Sequence, residues 1–284
     1  MRALKESILS STKTGKKALY TLFPKTKTEL VKMIENEITE KGDNCSLNHI
    51  DTSEIKNMSG LFKKSTFNGD ISKWNVSNVK DMKSMFYNSK FNGDISTWNV
   101  SNVEDMSYMF YDSKFNNNIS KWNVSEVKDM ESMFESSIFN GDISAWNVSK
   151  VENMKYIFYG SEFNGDISKW NVSKVKDMSC MFSKSIFNGD ISAWNVSNVE
   201  DMSYMFYDSK FNNNISKWNV SEVKDMESMF ERSNFNSDIS NWKINDNCNT
   251  TYMFIRCDIK DKYKPYKNIE RKVKYEILKR INIK

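Results

Sequence analysis

The chain has 284 residues, 41 Lys and Arg against 37 Asp and Glu, a formal net charge of +4 and one histidine, His49. An aromatic content of 13% gives it a core to bury, which argues against disorder. One histidine leaves little room for histidine-based catalysis or histidine-rich metal sites, and no apolar run approaches the ~20 residues that cross a bilayer.

In chain order, the basic start (1–23) lacks a continuous apolar stretch and does not read as a secretory signal, so the sequence by itself points to the cytoplasm. Ser10 and Lys17 stand where a phosphate-binding loop needs Gly and Ser or Thr, so the segment reads as a basic leader rather than a nucleotide site. Thr26 with Glu29 forms a capping box, predicting a helix with Leu30, Met33, Ile34 and Ile38 on one face.

A repeat follows. The eight tryptophans, from Trp74 to Trp242, are each 24 residues after the last, and Phe67 to Phe235 and Ile71 to Ile239 keep the same step. A fixed period of this size predicts a solenoid, because each unit must lend its apolar face to its neighbour. Within one unit, Trp74 and Val76 alternate with Lys73, Asn75 and Ser77, the pattern of a short parallel strand. Val79, Met82, Met85 and Phe86 step by three and four, which predicts a helical turn or two. Asn68-Gly69-Asp70 is a turn, and exchange of Gly69 with Asn117 and Asn213 in other units suggests a left-handed backbone there.

Ile71-x-x-Trp74-x-Val76-x-x-Val79 overlays the leucine-rich-repeat frame. With units such as Phe67-Asn-Gly-Asp-Ile-Ser-Lys-Trp74-Asn-Val-Ser, the chain resembles the BspA-type leucine-rich repeats of bacterial surface proteins. The resemblance covers residues 47–257. It implies a leucine-rich-repeat-like fold and a binding role, with surface display and adhesion or host interaction as the family's usual setting. The start departs from that pattern, since it shows no signal peptide.

The end units are degenerate, as capping requires: the first keeps Leu47, Ile50, Ile55, Met58 and Phe62 but has Thr52 for Val, and the last has Asn247 and Thr250 on its apolar face. Asn268 opens a second expected helix carrying Ile269, Val273, Ile277 and Ile281. The organisation is thus 1–46 leader and capping helix, 47–257 solenoid of eight repeats plus a degenerate first unit, and 258–284 basic capping helix. Charge follows these divisions. Residues 1–41 carry net +4, residues 258–284 net +6, and the stretch between them net −6. The basic C-terminal segment therefore suits weak contact with a polyanion, without specific nucleic-acid recognition.

Two acidic rows, beginning at Asp70 and Asp81, suggest stacked calcium sites, but the glycine-rich calcium nonapeptide is absent and turn closure explains them more simply. The recurrent Asn-Val-Ser reads as strand polarity rather than as a glycosylation signal. His49 has no activating context, and the cysteines, Cys45, Cys180, Cys248 and Cys257, read as free thiols with a bridge open only between the last two. No cofactor, metal or enzymatic constellation emerges.

Residues 91–135 and 187–231 differ only at Thr97 against Ala193, a near-identity odd for an enzyme. The expectation is a non-enzymatic binding module whose strand face meets a protein or glycan. That face carries Lys73, Lys121, Lys169 and Lys217 on every second coil, beside Asn75, Asn99, Asn123, Asn147, Asn171, Asn195 and Asn219. The competing reading is a structural spacer that assembles through its terminal helices. A separate column, Lys80, Glu104, Lys128, Glu152, Lys176, Glu200, Lys224, is expected to pair opposite charges on neighbouring coils.

Overall fold

The computed structural model describes residues 20–265. Residues 1–19 of the basic leader and the helix expected from Asn268 lie outside the described residues. The 24-residue period becomes a stack of coils, taken here as coil 1 (43–66) to coil 9 (235–258), joined by parallel contacts from Asn57–Asp81 through Asp225–Asn249. The chain is a repeat protein with little regular helix or strand.

Helix α1, Lys27–Lys41, forms as its capping residues require. Thr26 accepts a hydrogen bond from the Glu29 N–H at 3.2 Å, and the Glu29 carboxylate accepts one from the Lys25 N–H at 2.6 Å. Leu30 and Ile34 are buried in the core, with Met33 and Ile38 packed beside them, so α1 covers one end of the stack. Gly42, at φ 82°, ends the helix.

Each coil bends where a short polar side chain substitutes for a backbone partner. In coil 3, Asp94 accepts from the Ser96 N–H (2.9 Å), Asn99 from the Ser101 N–H (3.2 Å), and Asp105 from the Ser107 N–H (2.8 Å). The Ser113 hydroxyl then accepts from the Phe115 N–H at 3.1 Å. Four such turns carry the chain round one coil, and they give the Asp, Asn and Ser rows a structural cause.

Three expectations are corrected. The segment Val79–Phe86 is not helical, because Ser84 and Asn88 have φ 55° and 48°, and their equivalents are positive in every coil. Alternate N–H groups point along the stack instead: Met82, Ser84, Phe86 and Asn88 donate to the carbonyls of Asp105, Ser107, Met109 and Tyr111 at 2.7–3.0 Å. Between them, the Lys83 N–H donates to the Asp81 carboxylate at 2.9 Å, and those of Met85 and Tyr87 close turns on the Met82 and Ser84 carbonyls at 3.1 and 3.2 Å. Serial turns bury Met82, Met85 and Phe86 at the same three-and-four spacing as a helix. The parallel ladder therefore runs through these turns and Asp81 rather than through Trp74–Val76, which makes no bridge. Gly69, finally, is not left-handed. A Cβ there would stand 1.9 Å from the Cys45 carbonyl oxygen and 2.7 Å from the Phe67 ring, so its glycine is chosen for space.

Inside, phenylalanines stack from coil to coil, Phe86 on Phe110 at 5.6 Å and Phe91 on Phe115 at 6.4 Å. Each Trp indole N–H donates one coil back, Trp98 to the Ile71 carbonyl at 3.2 Å, so no buried donor is left unmade there. Outside, an asparagine ladder fixes register: Asn68 accepts from the Asn92 N–H at 2.7 Å, and Asn92 from the Asn116 N–H at 2.9 Å.

Candidate binding faces

The residues expected to form the strand face do share one side of the stack. Lys73, Lys121, Lys169 and Lys217 are exposed, as are Asn75 and its six equivalents, while Trp74 and Val76 between them are buried. The asparagines already have a task there. Asn75 Oδ1 accepts from the Ser77 N–H at 3.1 Å and hydroxyl at 2.7 Å, and the N–H contact recurs at Asn123, Asn147 and Asn171. The row presents its amide NH2 groups outward, flanked by lysines about 10 Å apart on alternate coils.

Both acidic rows are turn acceptors. The Ser96 N–H holds the Asp94 carboxyl below the usual range, and Asp142, Asp166, Asp190 and Asp238 are lowered in the same way by their own serines. His49 lies 3.1 Å from the Glu37 carboxylate, tying α1 to the first coil. All four cysteines are free thiols; Cys257 Sγ sits 3.5 Å from the Ser233 hydroxyl.

On a second side, the charge column pairs between neighbouring coils. Glu104 bridges Lys80 at 3.0 Å and Lys128 at 2.7 Å, Lys176 meets Glu152 at 3.8 Å, and Lys224 pairs with Glu200. Hydrogen bonds from Lys128 and Lys80 hold the Glu104 carboxyl at about 2.

A third side escaped the sequence reading. It is built on the serial turns, and it carries Tyr87, Tyr108, Tyr111, Tyr156, Tyr159, Tyr204, Tyr207 and Tyr252. One of its columns runs Gly60, Ser84, Tyr108, Ser132, Tyr156, Cys180, Tyr204, Ser228, Tyr252, all at positive φ. From Ser84 onward small and large residues alternate, and Tyr108, Tyr156 and Tyr204 each lean over the coil that follows. The Tyr108 hydroxyl donates to Glu131 at 2.6 Å and Tyr204 to Glu227 at 2.8 Å, which leaves Ser132 and Ser228 1% exposed and Cys180 7%. Ser84, preceded by Gly60, is only half-buried. Burial and the Glu131 contact push the Tyr108 phenol up to about 12. Tyr87 stacks on Tyr111 at 4.4 Å, and the ammonium groups of Lys63, Lys83, Lys155 and Lys184 lie 4.8–5.6 Å from tyrosine ring centres. Holding tyrosine at positive φ is costly, so four such residues in one column mark the face as more than filler. The signal available in the sequence was Tyr-Met-Phe-Tyr at 108–111 and 204–207, with Tyr-Ile-Phe-Tyr at 156–159.

No curated protein and no solved structure matches the chain. Residues 28–137, 112–209 and 161–266 each match the family described as "Mycoplasma protein of unknown function, DUF285". The matched segments overlap and together take in every coil, and the chain belongs to that family of repeat proteins.

Proposed function

We propose that the protein is a non-enzymatic binding module: a leucine-rich-repeat-like solenoid of BspA type that presents its Lys73 and Asn75 rows to a protein or glycan, in adhesion or host interaction. The observation that carries this reading is the strict alternation of exposed Lys73 and Asn75 with buried Trp74 and Val76, repeated along the stack. Regularly spaced ammonium and amide groups suit an acidic protein or an anionic polysaccharide. The basic segment after residue 258 adds a weak polyanion contact under the same reading.

The test is retention of partners by the immobilised full chain, on a glycan array and from protein extract, against the Lys121→Ala/Lys169→Ala/Lys217→Ala variant. The variant should fold normally, lose retention and show a weaker salt dependence. Unchanged retention would remove this face from the mechanism. A second reading, a structural spacer, is favoured by the near-identical segments 91–135 and 187–231, which add length without new chemistry. It expects the full chain to retain nothing on either surface.

A further inference from the structure

The tyrosine face carries charge in a pattern that its own coils do not neutralise. Coils 1 and 2 bring Lys63, Lys64 and Lys83; coils 3 and 4 bring Asp112, Glu131 and Glu135; coils 5 and 6 bring Lys155 and Lys184; coils 7 and 8 bring Asp208, Glu227 and Glu231. Among the described residues, no ion pair joins any of these groups, although the neighbouring Lys80 column is paired throughout much of its length. Where the blocks meet, Glu131 and Lys155, and Lys184 and Asp208, stand at equivalent positions one coil apart, but Glu131 takes the Tyr108 hydroxyl while Lys155 and Lys184 lie over the rings of Tyr156 and Tyr159. Burial holds the Glu135 and Asp129 carboxyls above their ordinary range, as expected of acids short of a cation.

We propose that this face is the contact between two copies of the chain, packed antiparallel about a two-fold axis that crosses the stack between coils 4 and 5. Such an axis reverses the order of coils while keeping each position around the coil, so coil 4 meets coil 5, coil 3 meets coil 6, coil 2 meets coil 7 and coil 1 meets coil 8. Glu131 then faces Lys155 of the second copy, Asp112 faces Lys184, and Glu231 faces Lys63. Symmetry gives each pair twice. Lys64 opposite Arg232 is the one like-charged match.

Tyrosine at the centre of an interface supplies large contact area at low side-chain entropy cost.

Two other arrangements fail on charge, and a slide of four coils, which sets Lys155 against Glu227 and Lys184 against Asp208, overlaps only coils 4–9. A parallel pairing sets Glu131 against Glu131 and Lys155 against Lys155. Sliding the antiparallel pair by two coils sets Lys64 against Lys184 and Lys83 against Lys155. The contact lies apart from the Lys73 and Asn75 rows, separated by the turns at Asn75–Ser77 and Asp81–Lys83, so the inference stands independently of the partner reading.

The experiment is sedimentation of the full chain over a concentration series at low salt, with a charge swap. The wild type should dimerise. Lys155→Glu and Glu131→Lys should each weaken dimerisation by about tenfold or more, and the double variant should restore it to within about threefold of wild type. Thermal melting of each variant checks its folding, and Lys121→Glu, on the other side, should leave association unchanged. A wild type that stays monomeric at every concentration overturns the proposal. So does a double variant no tighter than the singles, or a Lys121→Glu chain that fails to associate.

Discussion

The Lys80 column and the tyrosine face lie on the same coils and use the same charged residue types, yet they dispose of charge in opposite ways. In the column, Lys and Glu alternate one coil apart, and Glu104 is ionised to about 2 between two lysines. On the tyrosine face, like charges cluster over two coils, and Glu135 is pushed up by burial and by its neighbour Glu131. A one-coil alternation closes on itself and leaves a surface with nothing to seek. A two-coil alternation sets opposite charges side by side only at block edges, Glu131 beside Lys155 and Lys184 beside Asp208, and keeps like charges together within each block, where a second surface can meet them.

The largest expected effect comes from the core that holds both faces in register. Trp146→Ala should cost about 3–5 kcal/mol in urea denaturation, because it empties a buried layer and removes the indole hydrogen bond to the Ile119 carbonyl. A loss as small as that of an exposed lysine would contradict the continuous stack. Next comes the overlay of tyrosine on its small neighbour. Ser132→Val and Ser84→Val both place a branched residue at positive φ, but only Ser132 is covered by a tyrosine. Ser132→Val should therefore be worse by about 1–2 kcal/mol, and equal losses would show that Tyr108 does not pack there.

Smaller effects separate the two faces by pH. The Glu104 carboxyl is depressed in the fold, so its contribution is full above the ordinary carboxylate range and fades as pH falls toward 2. Glu104→Gln should lower the melting temperature slightly at pH 7 and converge with wild type in acid. Glu135 is raised, so its charge is a burden at neutral pH that disappears as the proton binds. In high salt, where copies are kept apart, Glu135→Gln should raise the melting temperature slightly at pH 7, with the gap closing in acid. Shifts of the same sign in the two variants would erase the distinction drawn between the faces.

Much of this was legible in the residues. The 24-residue period, the buried frame of Trp74, Val76, Met82 and Phe86, the Thr26 cap and the Lys80 pairing all follow from spacing, because each depends on contacts one coil or one helical turn away. The serial turns were not legible. Their apolar spacing equals that of a helix, and the distinguishing sign, a column of Gly, Ser, Tyr and Cys without a single branched residue, shows only once the coils are aligned. Gly69 was misread for a related reason. Gly and Asn exchange equally well at a left-handed site and at a crowded one, and only the nearness of Phe67 and Cys45 separates the two. The tyrosine face stayed hidden because its residues lie three apart in sequence and gather only through stacking.

The most direct test of the two-face account is a set of distances between copies. Single nitroxide labels at Lys64, Ser136 and Arg232, in a chain whose four cysteines are replaced by serine, report coils 1, 4 and 8 by their dipolar coupling. The antiparallel contact predicts a long, short, long series, with the outer labels about 34 Å apart across seven coil steps and the middle pair within about one step. Equal distances at all three positions, or no coupling between copies, would contradict it.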